Sequence, residues 1–310
     1  MEQITNTVLM VRPVAFRMNE ETAVNNFFQE KLQLKNEEVN KKAQEEFDTF
    51  VNKLESVGVT VVVVNDKKEL DTPDSIFPNN WVSFHQDGTA VVFPMFAENR
   101  RRERRMDFFE ELENKGFKIN EVLDYTKAEE EDIFLEGTGS MILDRENQKA
   151  YCALSPRADE DLFIEFCEDM EFTPVIFYAY QDVEGKRKPI YHTNVMMSVA
   201  DEFAVICLDC IDDKKERNNV KRHLKEDGKE IIEITESQLH EYAGNMLQVL
   251  GAENKKYLVM STTALKSLTQ KQIHAIEKHC EILSINLDTI ETCGGGSARC
   301  MLAEVFLPKE

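Results

Sequence analysis

A chain of 310 residues with 42% hydrophobic and 9% aromatic side chains carries enough apolar surface for a sizeable core. Its formal charge of −21 argues against nucleic acid and anionic membranes as partners, because both attract basic faces. Seven cysteines, an odd number, do not look like a secreted disulfide framework and are read as reduced thiols.

In chain order, MEQITNTVLM lacks the basic start and apolar core of a signal peptide, and VLMVRP at 8–13 reads as a strand. VGVTVVVV at 57–64 is the longest apolar run and far too short to span a bilayer, so a cytoplasmic location is expected. WVSFHQDGTAVVFP then reads as a hairpin turning at Asp87-Gly88, a strong turn signal. ENRRRERRMDFFEELENKG follows as a helix, with RRRERR at 100–105 as its solvated basic face. SMILDRENQKAYCAL turns at Asp144 to Gln148 and leads into the helix DEDLFIEFCED. VMMSVADEFAVICL turns at Ala200 to Glu202. Its Cys207 and Cys210 form a CxxC without a second CxxC or a histidine pair nearby, so they read as packed thiols and no metal is expected. TESQLHEYAGN reads as a helix, MLQVLGAENKKYLVM as a hairpin turning at Gly251 to Asn254, and SLTQKQIHAIEKHC as a helix capped by Ser267 or Thr269. CMLAEVFLP is the last strand.

The hairpins start near 81, 140, 195, 246 and 300, spaced 51 to 59 residues apart. Five α/β units at a nearly constant period predict one closed, repeating domain over 1–310, with the first and last strands sharing a unit so that no edge is exposed. The hairpin starts are PNNW, EGTGS, YHTN, YAGN and GGGSARC, each polar or glycine-rich at the same place in its unit. In a ring they converge on the axis, where distant residues can meet.

Three of those starts carry reactive side chains. Cys300 follows GGGSAR, where glycines let backbone approach a ligand. His192 is the only one of six histidines at a hairpin start; His85 lies in a strand, and His223, His240, His274 and His279 lie on helices. Glu136 ends an apolar strand and precedes two glycines, a poor place for a merely solvated acid. Thiol, imidazole and carboxylate are the parts of a nucleophile, a general acid/base and an orienting group.

These segments resemble a known superfamily. GGGSARCM resembles the C-terminal cysteine motif of arginine and agmatine deiminases, YHTN their histidine segment, and EGTG their EGGD-like acid segment. PDSIFPNNW resembles PDAVFVEDP of dimethylarginine dimethylaminohydrolases, and LSPRAD is similar to the arginine-threonine segment of both groups. The set looks like the guanidino-group-modifying superfamily, whose fold is a five-bladed α/β propeller, the pentein.

The resemblance implies that Cys300, with Cys293 a bystander, attacks a guanidino, amidino or ureido carbon. His192 would protonate the departing amine and then activate water, while Glu136 would bind substrate nitrogen or orient His192. Arg157 would grip the substrate carboxylate. Two positions depart from the pattern: Asp74 keeps the first acid of the hydrolase segment but Asn80 replaces the second, and His192-Thr193-Asn194 replaces HxD. Losing a charge pair worth about 4 kcal/mol at 4 Å and an effective dielectric of 20 weakens selection for a cation. An amide offers both donor and acceptor, so Asp74, Asn80, Arg157 and Asn194 are expected to bind a neutral ureido amino acid, citrulline first. Arginine or dimethylarginine hydrolysis, amidino transfer, and a non-catalytic binding protein are the alternatives. The expected partner is a small amino-acid substrate, a homodimer is allowed, and no organic cofactor is called for.

Overall fold

The structure, a computed structural model, describes residues 1–309. β1 (Thr7–Arg12) and β2 (Thr60–Asn65) pair in parallel. A three-strand unit then recurs, in which a short antiparallel hairpin is extended by a parallel third strand after a helical connection. The first is β3 (Val82–Phe84), β4 (Thr89–Val92) and β5 (Glu121–Asp124). The second is β6 (Met141–Asp144), β7 (Lys149–Ala153) and β8 (Thr173–Phe177). After an added hairpin, β9 (Tyr180–Val183) and β10 (Lys186–Pro189), come β11 (Met197–Val199), β12 (Phe203–Ile206) and β13 (Glu230–Glu233). The last full unit is β14 (Leu247–Leu250), β15 (Lys256–Ser261) and β16 (Glu281–Ile285). The final strand, β17 (Ala303–Glu304), pairs antiparallel with β1, so the two ends of the chain share a fifth sheet, β17-β1-β2.

The turns lie where the sequence places them, and Gly88 takes the left-handed φ of +90° at the end of a three-residue turn closed by His85 and Thr89. The middle strands β4 and β12 are buried on both faces, every residue of each being buried, which is why they read as continuous apolar runs rather than alternating ones. The longest helix, Asn36–Ser56, lies outside the predicted elements; it buries Val39, Ala43, Phe47, Phe50 and Leu54, one stripe at helical spacing. Thr269, not Ser267, caps the helix Gln270–Glu277, its side chain accepting from Gln272 N.

One expectation fails. The segment after β4 is not a single helix with a solvated basic face; it breaks into Glu98–Arg101 and Asp107–Asn114, and both Arg100 and Glu103 are only 2% exposed. Arg100 turns inward because Glu103, three residues on, supplies the counter-charge that makes its burial tolerable.

The hairpin starts fold as tight turns in contact with one another. The short helix Gly137–Ser140 packs on the 3₁₀ turn Pro78–Asn80 and on the 3₁₀ turn Thr193–Val195; Pro78–Asn80 also meets the 3₁₀ turn Ala298–Met301. That convergence brings Glu136, His192, Asn80 and Cys300 together from four sheets.

Candidate active site

Cys300, His192, Asp74, Asn80 and Arg157 all line one small, nearly filled cavity of about 10 Å³. Glu136 and Asn194 stand directly behind it, bonded to His192 and Cys300 respectively. Cys293 is buried in the apolar cluster beneath and does not line the cavity.

Cys300 lies within the 3₁₀ turn Ala298–Met301, and its N–H donates to Ser297 O at 3.0 Å. Its Sγ receives two amide N–H groups, Asn194 Nδ2 at 3.3 Å and Asn245 Nδ2 at 3.1 Å. Asn245 also donates to Asn194 O at 3.0 Å and accepts from Arg299 N at 3.0 Å, so a single buried amide fixes both the sulfur and the backbone beside it. The sequence reading missed Asn245, although YAGN ends on it at the same place where YHTN and GGGSARC carry their polar groups. All three glycines line the cavity; Gly295 has a left-handed φ, +60°, and Gly294 and Gly296 also leave room for the Phe77 ring, which an added Cβ would approach to 2.8 and 2.9 Å. Tyr191 Oη ties down the loop by donating to Gly295 O at 2.7 Å.

On the next wall, His192 Nε2 meets Glu136 Oε2 at 2.7 Å, and Arg157 Nη1 reaches the same oxygen at 3.4 Å. Glu136 Oε1 accepts from Phe96 N at 3.0 Å. The EGTG spacing has a steric cause, since a Cβ on Gly139 would lie 2.3 Å from Asn80 Nδ2 and 2.9 Å from His192 Cε1. Arg157 also donates from Nε to Asn25 Oδ1 at 2.9 Å and from Nη2 to Thr22 O at 3.0 Å. With a second bond from Nη2 to Asn25 Oδ1, four of its five donor hydrogens hold protein groups, leaving one on Nη1.

The third wall holds Asp74 and Asn80. Asp74 Oδ2 accepts from Asn19 Nδ2 at 2.8 Å and Thr22 Oγ1 at 3.2 Å, while its buried Oδ1 has no partner. Asn80 Oδ1 accepts from Arg100 Nη1 at 2.8 Å, and its Nδ2 donates to Asn79 Oδ1 at 3.1 Å. Arg100 was absent from the sequence reading because a run of five arginines looks like solvent-facing charge. The residues between Asn19 and Gln29 cover the cavity: besides Asn19, Thr22 and Asn25, Asn26 Nδ2 and Gln29 Nε2 donate to Gly294 O at 3.3 Å each. No periodic or motif signal marks that segment.

The chain matches the family described as N,N dimethylarginine dimethylhydrolase, eukaryotic, over residues 12–307. It belongs to that family. It is therefore a member of the guanidino-group-modifying superfamily. Among solved structures, the arginine dihydrolase ArgZ of the cyanobacterial ornithine-ammonia cycle is similar, with a TM-score of 0.75 and 15% identity over 98% of this chain and 41% of that one. Its N-terminal domain bound to substrate has a TM-score of 0.71 and 16% identity, covering 97% of this chain and 99% of that one. Dimethylarginine dimethylaminohydrolase from Pseudomonas aeruginosa, complexed with citrulline, has a TM-score of 0.64 and 14% identity, covering 98% and 100%. The chain thus spans about two fifths of full-length ArgZ, and these distant likenesses establish the α/β fold. No curated protein matches.

Electrostatics separate the walls. Burial works against ionised Glu136, but Arg157, the His192 bond and Arg100 hold its carboxyl well below the usual range. Burial pulls the His192 imidazole down to about 4 despite the Glu136 bond, so the ring is neutral at pH 7. Burial raises Asp74, only partly opposed by Arg100 and the Asn19 bond. Among the described residues no group of three or more histidine, cysteine, aspartate or glutamate side chains could hold a metal ion, and Cys207 and Cys210 pack with sulfurs 3.0 Å apart. Among the described residues, no helix is long and apolar enough to cross a membrane.

Proposed function

We propose that the chain is one five-bladed α/β propeller domain and a cysteine-dependent hydrolase that cleaves the ureido group of citrulline to ornithine, ammonia and carbon dioxide. The observation that carries the substrate choice is the Asn80 amide. Arg100 occupies its oxygen, so Asn80 presents N–H, of which one hydrogen serves Asn79 and the other has no protein acceptor. Across the site, Asp74 Oδ1 and Asn194 Oδ1 are buried acceptors without donors. A ureido group, with N–H donors and a carbonyl acceptor, satisfies both kinds of group. A guanidinium has only donors and would leave the Asn80 N–H unpaired, a cost of about 1–3 kcal/mol.

Cys300 Sγ attacks the ureido carbon, and the thiol proton passes through neutral His192 to the nitrogen that leaves as ammonia. Water then adds to the thiocarbamate carbon, giving its proton to His192, and the sulfur departs. The carbamate left behind breaks into ornithine and carbon dioxide. Glu136 orients His192 and stabilises the imidazolium formed in passing, and Asn194 and Asn245 aim the sulfur. Asp74, Asn80 and Asn194 bind the reacting group, and the remaining Arg157 hydrogen meets the substrate carboxylate. The substrate is the partner this site needs; an organic cofactor has no step to perform.

Arginine or dimethylarginine is the second reading, favoured by the free carboxylate oxygen of Asp74. The related cyanobacterial enzyme is an arginine dihydrolase, and its relative AgrE has been seen with L-arginine. One test separates them: purified protein is offered citrulline, arginine and dimethylarginine in parallel, with Cys300→Ala as control. Ornithine from citrulline alone supports the proposal. Citrulline from arginine or dimethylarginine keeps the chemistry and overturns the substrate, and no turnover of any points to amidino transfer or ligand binding. Asn80→Asp should move the preference toward arginine.

A further inference from the structure

We propose that Cys207 and Cys210 form a reversible dithiol–disulfide site, oxidised by a hydroperoxide, that is separate from the Cys300 centre and independent of the substrate reading above. The pair follows β12 and is built by local geometry. Cys207 precedes the 3₁₀ turn Leu208–Cys210, and Cys210 ends it, three residues on. Side chains at i and i+3 of a 3₁₀ turn eclipse, so this spacing brings the two thiols together instead of parting them. Cys210 Sγ donates to Cys207 Sγ at 3.0 Å, and a disulfide needs that gap to close by only about 1 Å.

The backbone tolerates that closure. Cys207 N donates to Met196 O at 2.9 Å, Cys210 N to Cys207 O at 3.4 Å and Ile211 N to Leu208 O at 3.1 Å, bonds that hold the turn while the sulfurs approach. Both thiols are buried, but Asp209 between them and Asp212 just beyond are exposed, so the pair lies one layer beneath a surface turn, within reach of a water-sized oxidant. Among the described residues no third histidine, cysteine or carboxylate joins them as a metal ligand. The surroundings single this pair out among the buried thiols. The bond from Cys210 draws the Cys207 thiol below its ordinary range, whereas burial holds Cys152, Cys167, Cys280 and Cys293 above theirs. A thiolate is the reacting form, so Cys207 is the sulfur that attacks.

Two thiols and one hydroperoxide balance the reaction. The Cys207 thiolate attacks a peroxide oxygen; an S–O bond forms, the O–O bond breaks, and the other oxygen takes a proton and leaves as water or an alcohol. Cys210, giving up its proton, then attacks the Cys207 sulfur; the S–S bond forms, the S–O bond breaks, and hydroxide takes that proton to leave as water. The peroxide gains the two electrons that the thiols lose. A small dithiol returns the pair to its reduced state by exchange.

The experiment titrates folded, full-length Cys300→Ser protein with hydrogen peroxide, quenches by alkylation and maps every cysteine by peptide mass spectrometry. We expect a Cys207–Cys210 disulfide, about 2 Da lighter than the dithiol, at peroxide doses at least about tenfold below those that oxidise Cys152, Cys167, Cys280 or Cys293, and its loss on adding dithiothreitol. The oxidised protein should keep its circular dichroism spectrum and its cooperative thermal transition, as a bond formed in the native state requires. In Cys210→Ser, with no second thiol beside it, Cys207 should stop at a sulfenic acid that dimedone traps. Cys210→Ala gives the same readout if the serine variant does not fold. Oxidation of all the buried cysteines alike, a pair that stays reduced while the others react, sulfinic acid on Cys207 with Cys210 present, or a disulfide that forms only once the fold is lost each overturns the proposal.

Discussion

Asp74 and Glu136 stand on two walls of the same cavity and are almost equally hidden, 2% and 0% exposed, yet the protein shifts them in opposite directions. Glu136 has both oxygens filled, by a backbone N–H, an imidazole and a guanidinium. Asp74 has one oxygen filled by an amide and a hydroxyl and the other bare. Burial alone therefore does not decide the state of a carboxyl; the number and charge of its donors do. In the proposed mechanism the finished carboxylate orients His192, and the unfinished one is left for the substrate to complete.

The comparison breaks first if the two acids respond alike to neutralisation. Glu136→Gln leaves Arg157 and Arg100 with less counter-charge in the interior and takes the orienting partner from His192. It should lower kcat at least 10²-fold and cost about 3–5 kcal/mol in urea unfolding. Asp74→Asn keeps acceptors for Asn19 and Thr22, so stability should change by less than about 1 kcal/mol. Its effect should appear as raised KM, larger for arginine than for citrulline. Equal losses of stability in the two variants would refute the distinction.

His192→Gln is the next largest test, because it keeps a hydrogen bond to Glu136 and removes only proton transfer. A fall of about 10²–10⁴-fold in kcat with an unchanged melting temperature is expected. Gly139→Ala sharpens the comparison from between the walls. The added Cβ would lie 2.3 Å from Asn80 Nδ2 and must displace either Asn80 or His192. If Asn80 yields, KM for citrulline rises; if His192 yields, kcat falls, and steady-state kinetics tells which wall is stiffer.

The same contrast explains what the sequence made legible. Hairpin turns and middle strands are local patterns, and the period of their starts led to Glu136, His192 and Cys300 because each sits at an equivalent turn. Asp74 and Asn80 were reachable through a motif. Arg100 and Glu103 were not, because an arginine-rich run carries the same letters whether it faces water or a carboxylate, and the inward turn depends on a partner from the Asp74 segment. Asn245 had position but no distinctive chemistry until its amide was seen on the sulfur. The cover between Asn19 and Gln29 has neither period nor motif, since its order comes from bonds to Asp74, Arg157 and the glycine loop.

The smallest expected effect is in the pH dependence of folding, where the two walls should oppose each other. His192 titrates near 6.5 when unfolded and about 4 when folded, so between those values the unfolded chain binds the extra proton and stability falls as pH drops. Glu136, held low, extends that loss below 4.5, as pH falls toward its folded pKa. Asp74 works the other way. Its folded pKa lies above 3.8, so the folded state holds the extra proton, and its contribution to stability is lost as pH rises through that raised value. Each group limits the slope to about 1.4 kcal/mol per pH unit. Urea unfolding between pH 4 and 6.5 should therefore show a shallower pH dependence in His192→Gln and a steeper one in Asp74→Asn than in the wild type. Matching slopes in all three proteins would mean that neither His192 nor Asp74 changes its proton affinity on folding.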